Sequence, residues 1–128
     1  MPDTLGFLEA VRSLPEQLAT ARAAASVVEM SLPDADGIEH VVVVGMGGSG
    51  IAGAVLEAVG ADCLPVPLVL LQQLSVPAFV GPRTLVFALS YSGDTEETAS
   101  MARSAQAQGA SLVSSVSPEY ERDRKSVV

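Results

Sequence analysis

The stretch that decides the fold is residues 41–53, VVVVGMGGSGIAG, in which four valines precede a glycine-rich turn. A continuous run of β-branched residues predicts a strand buried on both faces, as in a parallel sheet covered by helices. The turn at residues 45–50 contains four glycines, which allow tight backbone geometry and the close approach of a ligand. A helix predicted from about Ile51 would direct its N-terminal N–H groups at this turn, so we expect a phosphate site there.

Strands and helices alternate along the rest of the chain. Apolar runs predict strands at residues 40–44, 66–71, 84–89 and 110–116. The helix at residues 51–59 is expected to place Val55, Leu56 and Val59 against the sheet and to stop at Gly60. A later helix, ended by Gly109, carries one apolar face: Thr98, Met101, Ala102 and Ala105. This alternation predicts an α/β three-layer sandwich with a parallel, doubly wound sheet, whose strand order stays open.

Two further helices are predicted before the first strand. The first carries Leu5, Leu8 and Val11, with Asp3 or Thr4 as its cap. The second is expected to begin with a capping box of Ser13 and Glu16, with Pro15 in its first turn. Its apolar residues recur at helical spacing and form an alanine-rich face suited to another helix or a partner subunit: Leu18, Ala21, Ala25 and Val28.

Composition excludes several classes of protein. The net charge is −8 and Lys125 is the only lysine, so we expect no nucleic-acid partner, which would require clustered basic residues. No apolar run reaches the length of a membrane span, so we expect no membrane partner. Cys63 is the only cysteine, which fits a reducing cytoplasm and predicts a small buried apolar residue rather than a reactive thiol.

A second polar loop, SYSGDT at residues 90–95, follows the third predicted strand. Ser90, Ser92 and Thr95 place three hydroxyls at a helix start, and such groups can hold a phosphate monoester without a lysine. The alternative is that they serve only as turn and cap residues. Since the carboxyl ends of adjacent parallel strands form one crevice, both loops can face one ligand. Tyr91, between the serines, is predicted to be a packing residue.

The glycines at positions 45, 47 and 50 also fit the dinucleotide fingerprint. That fingerprint requires an acidic residue about 20 positions later to hold the ribose. The second strand ends instead in Leu71, Gln72 and Gln73. A Walker-type phosphate loop is excluded because no lysine follows the glycines.

Together, GMGGSGIAG and SYSGDTEET resemble the two signature segments of the sugar isomerase (SIS) domain. More narrowly, with LPEQL and PAFVGPRTLV, they resemble the bifunctional phosphoglucose/phosphomannose isomerase family over residues 4–113. Asp94 stands where many members have Asn, and the first loop lacks the lysine of the arabinose phosphate isomerases. The resemblance implies an SIS-type, flavodoxin-like sandwich that is incomplete at its C-terminus.

The resemblance also implies a sugar-phosphate substrate. Gly47, Gly48 and Ser49 would lie along the sugar, and the hydroxyls of Ser90, Ser92 and Thr95 would hold its phosphate. The family interconverts glucose 6-phosphate or mannose 6-phosphate with fructose 6-phosphate, a step of glycolysis and gluconeogenesis, through a cis-enediol and without a metal or other cofactor. Its Glu base, ring-opening His, and charge-stabilising Arg and Lys come from later in the chain, so we expect no catalytic residue here. The alternatives are a non-catalytic phosphosugar-sensing module and, third, a dinucleotide-binding domain.

The same resemblance sets the expected organisation. Residues 1–122 would form a truncated N-terminal SIS domain, and the intact protein would be a homodimer. Residues 123–128, DRKSVV, match one reading frame of a common sequencing adapter, so we expect a non-native tail. His40, at the strand end opposite the crevice, is predicted to be structural, and Glu96 and Glu97 are predicted to stabilise a helix N-terminus.

Overall fold

A computed structural model of the chain describes residues 5–27, 33–91 and 95–116. Two compact units are present, Met1–Ser31 and Leu32–Val128. The first contains helices α1 (Phe7–Arg12) and α2 (Leu14–Ala25). The second alternates strands and helices in the order β1 (His40–Gly45), α3 (Gly47–Cys63), β2 (Leu68–Leu71), β3 (Thr84–Ser90), α4 (Glu96–Ala107) and β4 (Ser111–Val116).

The four strands form one parallel sheet in the order β2-β1-β3-β4. This confirms the predicted α/β class and supplies the strand order that the sequence left open. All four predicted strands are present, within two residues of their expected bounds at each end. The chain runs outward from β1 to β2 and, separately, from β3 to β4, so the direction of winding reverses between β1 and β3.

The valines of β1 are buried on both sides of the sheet, as their continuous apolar run predicts. Val42 and Val44 belong to a core cluster with Met101 of α4. Val43 lies on the other side, close to Gly53 of α3. Because successive side chains in a strand point to opposite faces, α3 and α4 cover opposite faces of the sheet. The three-layer arrangement is therefore present.

Helix α3 differs from its prediction in bounds and in orientation. It begins at Gly47, four residues earlier than expected, and continues past Gly60 to Cys63. Val55, Leu56 and Val59 do not face the sheet, since they are 58%, 46% and 61% exposed.

The buried positions of α3 are glycines: Gly50, Gly53 and Gly60. A Cβ atom at Gly53 would lie only 2.5 Å from Leu70 Cδ1 and 3.1 Å from Val43 Cγ1. The helix therefore approaches the sheet through a face without side chains, and its larger apolar residues lie elsewhere on its circumference. Apolar periodicity predicts that the large residues of a helix face the core, whereas in α3 the glycines face the sheet.

Helix α4 follows its prediction. Thr98, Met101, Ala102 and Ala105 are its buried residues. Gly109 follows the helix with a φ of 91°, a left-handed conformation that glycine adopts without strain. Glu96 and Glu97 lie exposed in the first turn, where negative charge stabilises the helix dipole.

Strand β2 is an edge of this sheet, and α3 contributes to covering it. The backbone N–H of Leu70 donates a hydrogen bond of 3.2 Å to Oε1 of Glu57, one turn along α3 from Gly53. On the outer side of β2 the described sheet has no further strand whose carbonyl could accept this N–H. The Glu57 side chain accepts it instead.

The first unit departs from its predicted caps. Gly6 precedes α1, while Asp3 and Thr4 lie outside the described residues. Ser13 precedes α2 but has a helical backbone, and its hydroxyl donates to the Ala10 carbonyl at 2.9 Å, so the capping box is wrong. Pro15 is in the first turn as predicted. Neither helix contains a buried residue, and Val28 lies outside the described ranges.

The structure also bears on the predictions for the single cysteine and the single histidine of the chain. Cys63 is exposed at the end of α3, so its prediction as a buried residue is wrong. His40 lies at the start of β1, with its ring 5.1 Å from that of Phe79, which fits a structural role. Within the ranges that the structure describes, no helix is both long and apolar enough to cross a membrane.

Candidate phosphosugar site

The glycine turn and the second loop leave the same edge of the sheet. Strands β1 and β3 are adjacent and parallel, and Gly45 at the end of β1 is paired with Leu89 near the end of β3. The reversal of winding between these strands separates α3 from α4 and opens a crevice at their carboxyl ends. This is the crevice that the sequence predicted for a ligand.

The glycine turn brings the start of α3 directly against the end of β1. A Cβ atom at Gly45 would lie 2.9 Å from both the carbonyl carbon and the oxygen of Ser49, so a side chain does not fit there. Met46 has an extended backbone, with φ −108° and ψ 154°, and its carbonyl accepts from the Gly50 N–H at 3.2 Å. The N–H groups of the first turn have no acceptors within the helix and are available to an anion.

The second loop is described at its two ends. Ser90 is the last residue of β3 and Thr95 immediately precedes α4. The Ser90 hydroxyl donates to Thr95 Oγ1 at 3.2 Å, so the two hydroxyls lie together at the helix start. Thr95 makes no side-chain capping bond to α4. Ser92, with Gly93 and Asp94, lies outside the described residues.

A cavity of about 590 Å³ separates the two loops, and it is lined by Met46, Gly48, Ser49, Ala52, Tyr91 and Thr95. Its volume falls within the range of small-molecule sites. Three of the predicted site residues, Gly48, Ser49 and Thr95, thus lie around one space. Gly47 is exposed at the start of α3 and Ser90 contacts Thr95, but neither is among the lining residues.

Three lining residues were missed by the sequence analysis: Met46, Ala52 and Tyr91. Tyr91 is 63% exposed, so its prediction as a packing residue is wrong. Its position directly after a strand that ends at the crevice was a usable signal, because side chains there border the ligand space in doubly wound folds. Met46 and Ala52 gave no signal of their own, since their roles depend on where the first turns of α3 lie.

Neither a carboxylate nor a basic side chain is among the described residues that line the cavity. Arg83 lies before β3, at the other end of the sheet, and pairs with Glu39 at 2.6 Å. The described lining therefore offers hydroxyls, backbone N–H groups and apolar surface. These groups can bind a phosphate monoester, but they include no general base for proton transfer from carbon.

In dinucleotide-binding proteins an acidic residue stands at the end of the second strand, and in this structure that position is occupied by Gln72. Gln72 directly follows β2, and its side-chain amide lies against Gly50, in the space that a Cβ atom would occupy. A carboxamide in this place lacks the charge that binds a ribose diol. The dinucleotide alternative is therefore disfavoured by the same residue that the sequence analysis singled out.

Comparison with known proteins gives a consistent result. No model of a known protein family matches the chain. The chain is 38% identical over 107 residues to a protein of Caldicellulosiruptor bescii named bifunctional phosphoglucose/phosphomannose isomerase, covering 84% of this chain and 31% of that protein. It is also 38% identical over 74 residues to a protein of the same name from Thermoplasma volcanium, covering 58% of this chain and 23% of that protein. The chain thus spans less than a third of the length of these relatives.

Among solved structures, the fold resembles that of a Clostridium difficile protein provisionally named a phosphosugar isomerase. The TM-score is 0.58 at 19% identity, over 62% of this chain and 24% of that one. At this identity the likeness concerns the fold alone. Together with the sequence matches, it confirms the resemblance drawn from the two loops: the chain is related to the bifunctional phosphoglucose/phosphomannose isomerases and has the α/β fold of phosphosugar isomerases.

Proposed function

We propose that the cavity between the two loops binds a sugar phosphate, with its phosphate at the hydroxyls of Ser90, Ser92 and Thr95. Gly47, Gly48 and Ser49 would lie along the sugar. The observation that carries the proposal is the meeting of Ser49 and Thr95 around one cavity at the carboxyl ends of β1 and β3. Two helix N-termini adjoin this cavity, and both favour a dianion.

The parent protein, on this proposal, interconverts glucose 6-phosphate or mannose 6-phosphate with fructose 6-phosphate. Support comes from the names of the relatives and from the match over 107 residues, which is long enough to include both loops. Neither a metal nor a nucleotide is required for this reaction. The base, the histidine and the basic residues would be supplied by sequence beyond this chain, since the relatives are more than three times as long as the matched region.

Two properties of the parent belong to the same proposal. A lone cysteine fits a cytoplasmic protein, and the alanine-rich face of α2 fits a homodimer contact. Sedimentation equilibrium on the longer parent tests the second property. A monomer at all concentrations would contradict it.

The proposed site is tested by calorimetric titration of the chain with glucose 6-phosphate. Thr95→Val and Ser49→Ala should each weaken binding about tenfold or more, because each removes a hydroxyl at a charged ligand. Ser104→Ala, an exposed serine on α4 outside the cavity, is the matched control and should leave binding unchanged. Binding of NAD in preference to the sugar phosphate, or equal affinities for all three variants, would refute the assignment.

A further inference from the structure

The proposed cavity has two chemically different walls. Ser49 and Thr95 present hydroxyls, whereas Met46, Ala52 and Tyr91 present apolar surface. Hydroxyls and helix N-termini are sufficient to bind an inorganic anion. The apolar wall therefore has no role in binding inorganic phosphate. It fits a ligand that has a carbon skeleton attached to its phosphate group.

Tyr91 is the largest component of this wall. It directly follows Ser90, the last residue of β3, and yet its side chain is 63% exposed. By contrast, the next large residues back along β3, Leu89 and Phe87, are both half-buried. A tyrosine ring offers a rigid apolar face with only two side-chain torsions to order on binding.

The position of the ring in the chain indicates which part of a ligand it would meet. Ser90 precedes it and contacts Thr95, so the ring borders the hydroxyls at the phosphate end of the cavity. Ala52 and Met46 belong to the opposite loop and helix and line the same space. A carbon chain bound through its phosphate at these hydroxyls would place its first carbons between the two elements.

We propose that Tyr91, with Met46 and Ala52, forms an apolar wall that contacts the carbon skeleton next to the phosphoester and so makes the site selective for phosphosugars over inorganic phosphate. This inference rests on the proposed function. The ring, and not the hydroxyl, makes the contact, because Met46 and Ala52, which line the same cavity, are apolar. Tyr91 is thus a specificity-determining residue.

The test is a pair of titrations, with glucose 6-phosphate and with inorganic phosphate, on the 128-residue chain. Tyr91→Ala should weaken glucose 6-phosphate binding about tenfold, the effect of exposing some 50 Å² of apolar surface, and should change phosphate binding less than about twofold. Tyr91→Phe should leave both affinities unchanged. The control is Phe79→Ala, which removes another partly exposed ring near His40, at the amino end of the sheet, and should change neither affinity.

Three other outcomes of these titrations would contradict the proposals. An equal loss for both ligands in Tyr91→Ala, or no loss for either, overturns the selectivity role while leaving the phosphosugar site standing. A loss in Tyr91→Phe as large as in Tyr91→Ala assigns the contact to the hydroxyl and also overturns it. If the unmodified chain binds neither ligand, the proposed function itself fails.

Discussion

At the scale of single residues, two buried threonines differ in whether their hydroxyls have hydrogen-bond partners. We therefore expect substitution by valine to stabilise the protein at one position and to destabilise it at the other. Thr98 is 3% exposed, and its Oγ1 has no hydrogen-bond partner among the described residues. Thr98→Val replaces that hydroxyl by a methyl group of similar size. Since an unsatisfied buried hydroxyl costs free energy, we expect the variant to be more stable by about 1 kcal/mol. Thermal unfolding followed by circular dichroism measures the change.

Thr84→Val is the matched control at an equally buried position. Thr84 is 1% exposed, and its Oγ1 accepts from the Gly81 N–H at 3.1 Å and lies 3.5 Å from the Phe79 carbonyl. Removing this hydroxyl leaves the Gly81 donor without its acceptor, so stability should fall by about 1–3 kcal/mol. A gain in stability at position 84, or a loss at position 98, would show that hydrogen-bond satisfaction does not govern these sites.

At the scale of secondary-structure elements, the close packing of the α3 glycines on the sheet predicts that an added methyl group there destabilises the protein. Gly53→Ala introduces a methyl group 2.5 Å from Leu70 Cδ1, whereas Gly48→Ala introduces one with no atom within 4 Å. Both changes raise helix propensity. The difference between the two therefore isolates the packing, and Gly53→Ala should be less stable than Gly48→Ala by about 1–3 kcal/mol in urea unfolding. Equal stabilities would mean that α3 is not held close to the sheet.

The same helix shows where prediction from the sequence ends. Strand β1 and helix α4 were predictable because Val41–Val44 and the face around Met101 encode their burial locally. The orientation of α3 was not predictable from the sequence, because its close contact with the sheet is made by glycines, which carry no hydropathic signal. The crevice was predictable from the order of strands and loops. Its apolar wall was not, because Met46, Ala52 and Tyr91 meet only in three dimensions.

At the scale of the whole molecule, the chain should bind its ligand and catalyse nothing. The described cavity lining contains no carboxylate, histidine or lysine. General acid and base groups contribute about 10²–10⁴-fold each to such proton transfers, and the described lining supplies none of them, so we expect most of the rate to be missing. A coupled isomerase assay on the purified chain with glucose 6-phosphate should show no turnover above the buffer rate. Turnover that disappears in Thr95→Val would place a catalytic group within these 128 residues and contradict the prediction.

The bond between Glu57 and the backbone of Leu70 has a consequence for aggregation. Another molecule that extends the sheet at the β2 edge would have to add a strand beside β2, and that strand would have to displace the Glu57 carboxylate from the Leu70 N–H. This protection is carried by α3, so it lasts only while that helix remains docked on the sheet. Local undocking of α3 would free the edge of β2 and expose the apolar side chains beneath the helix in a single event. At the β2 edge, the step that opens a route to aggregates is therefore the loss of one helix, well short of global unfolding.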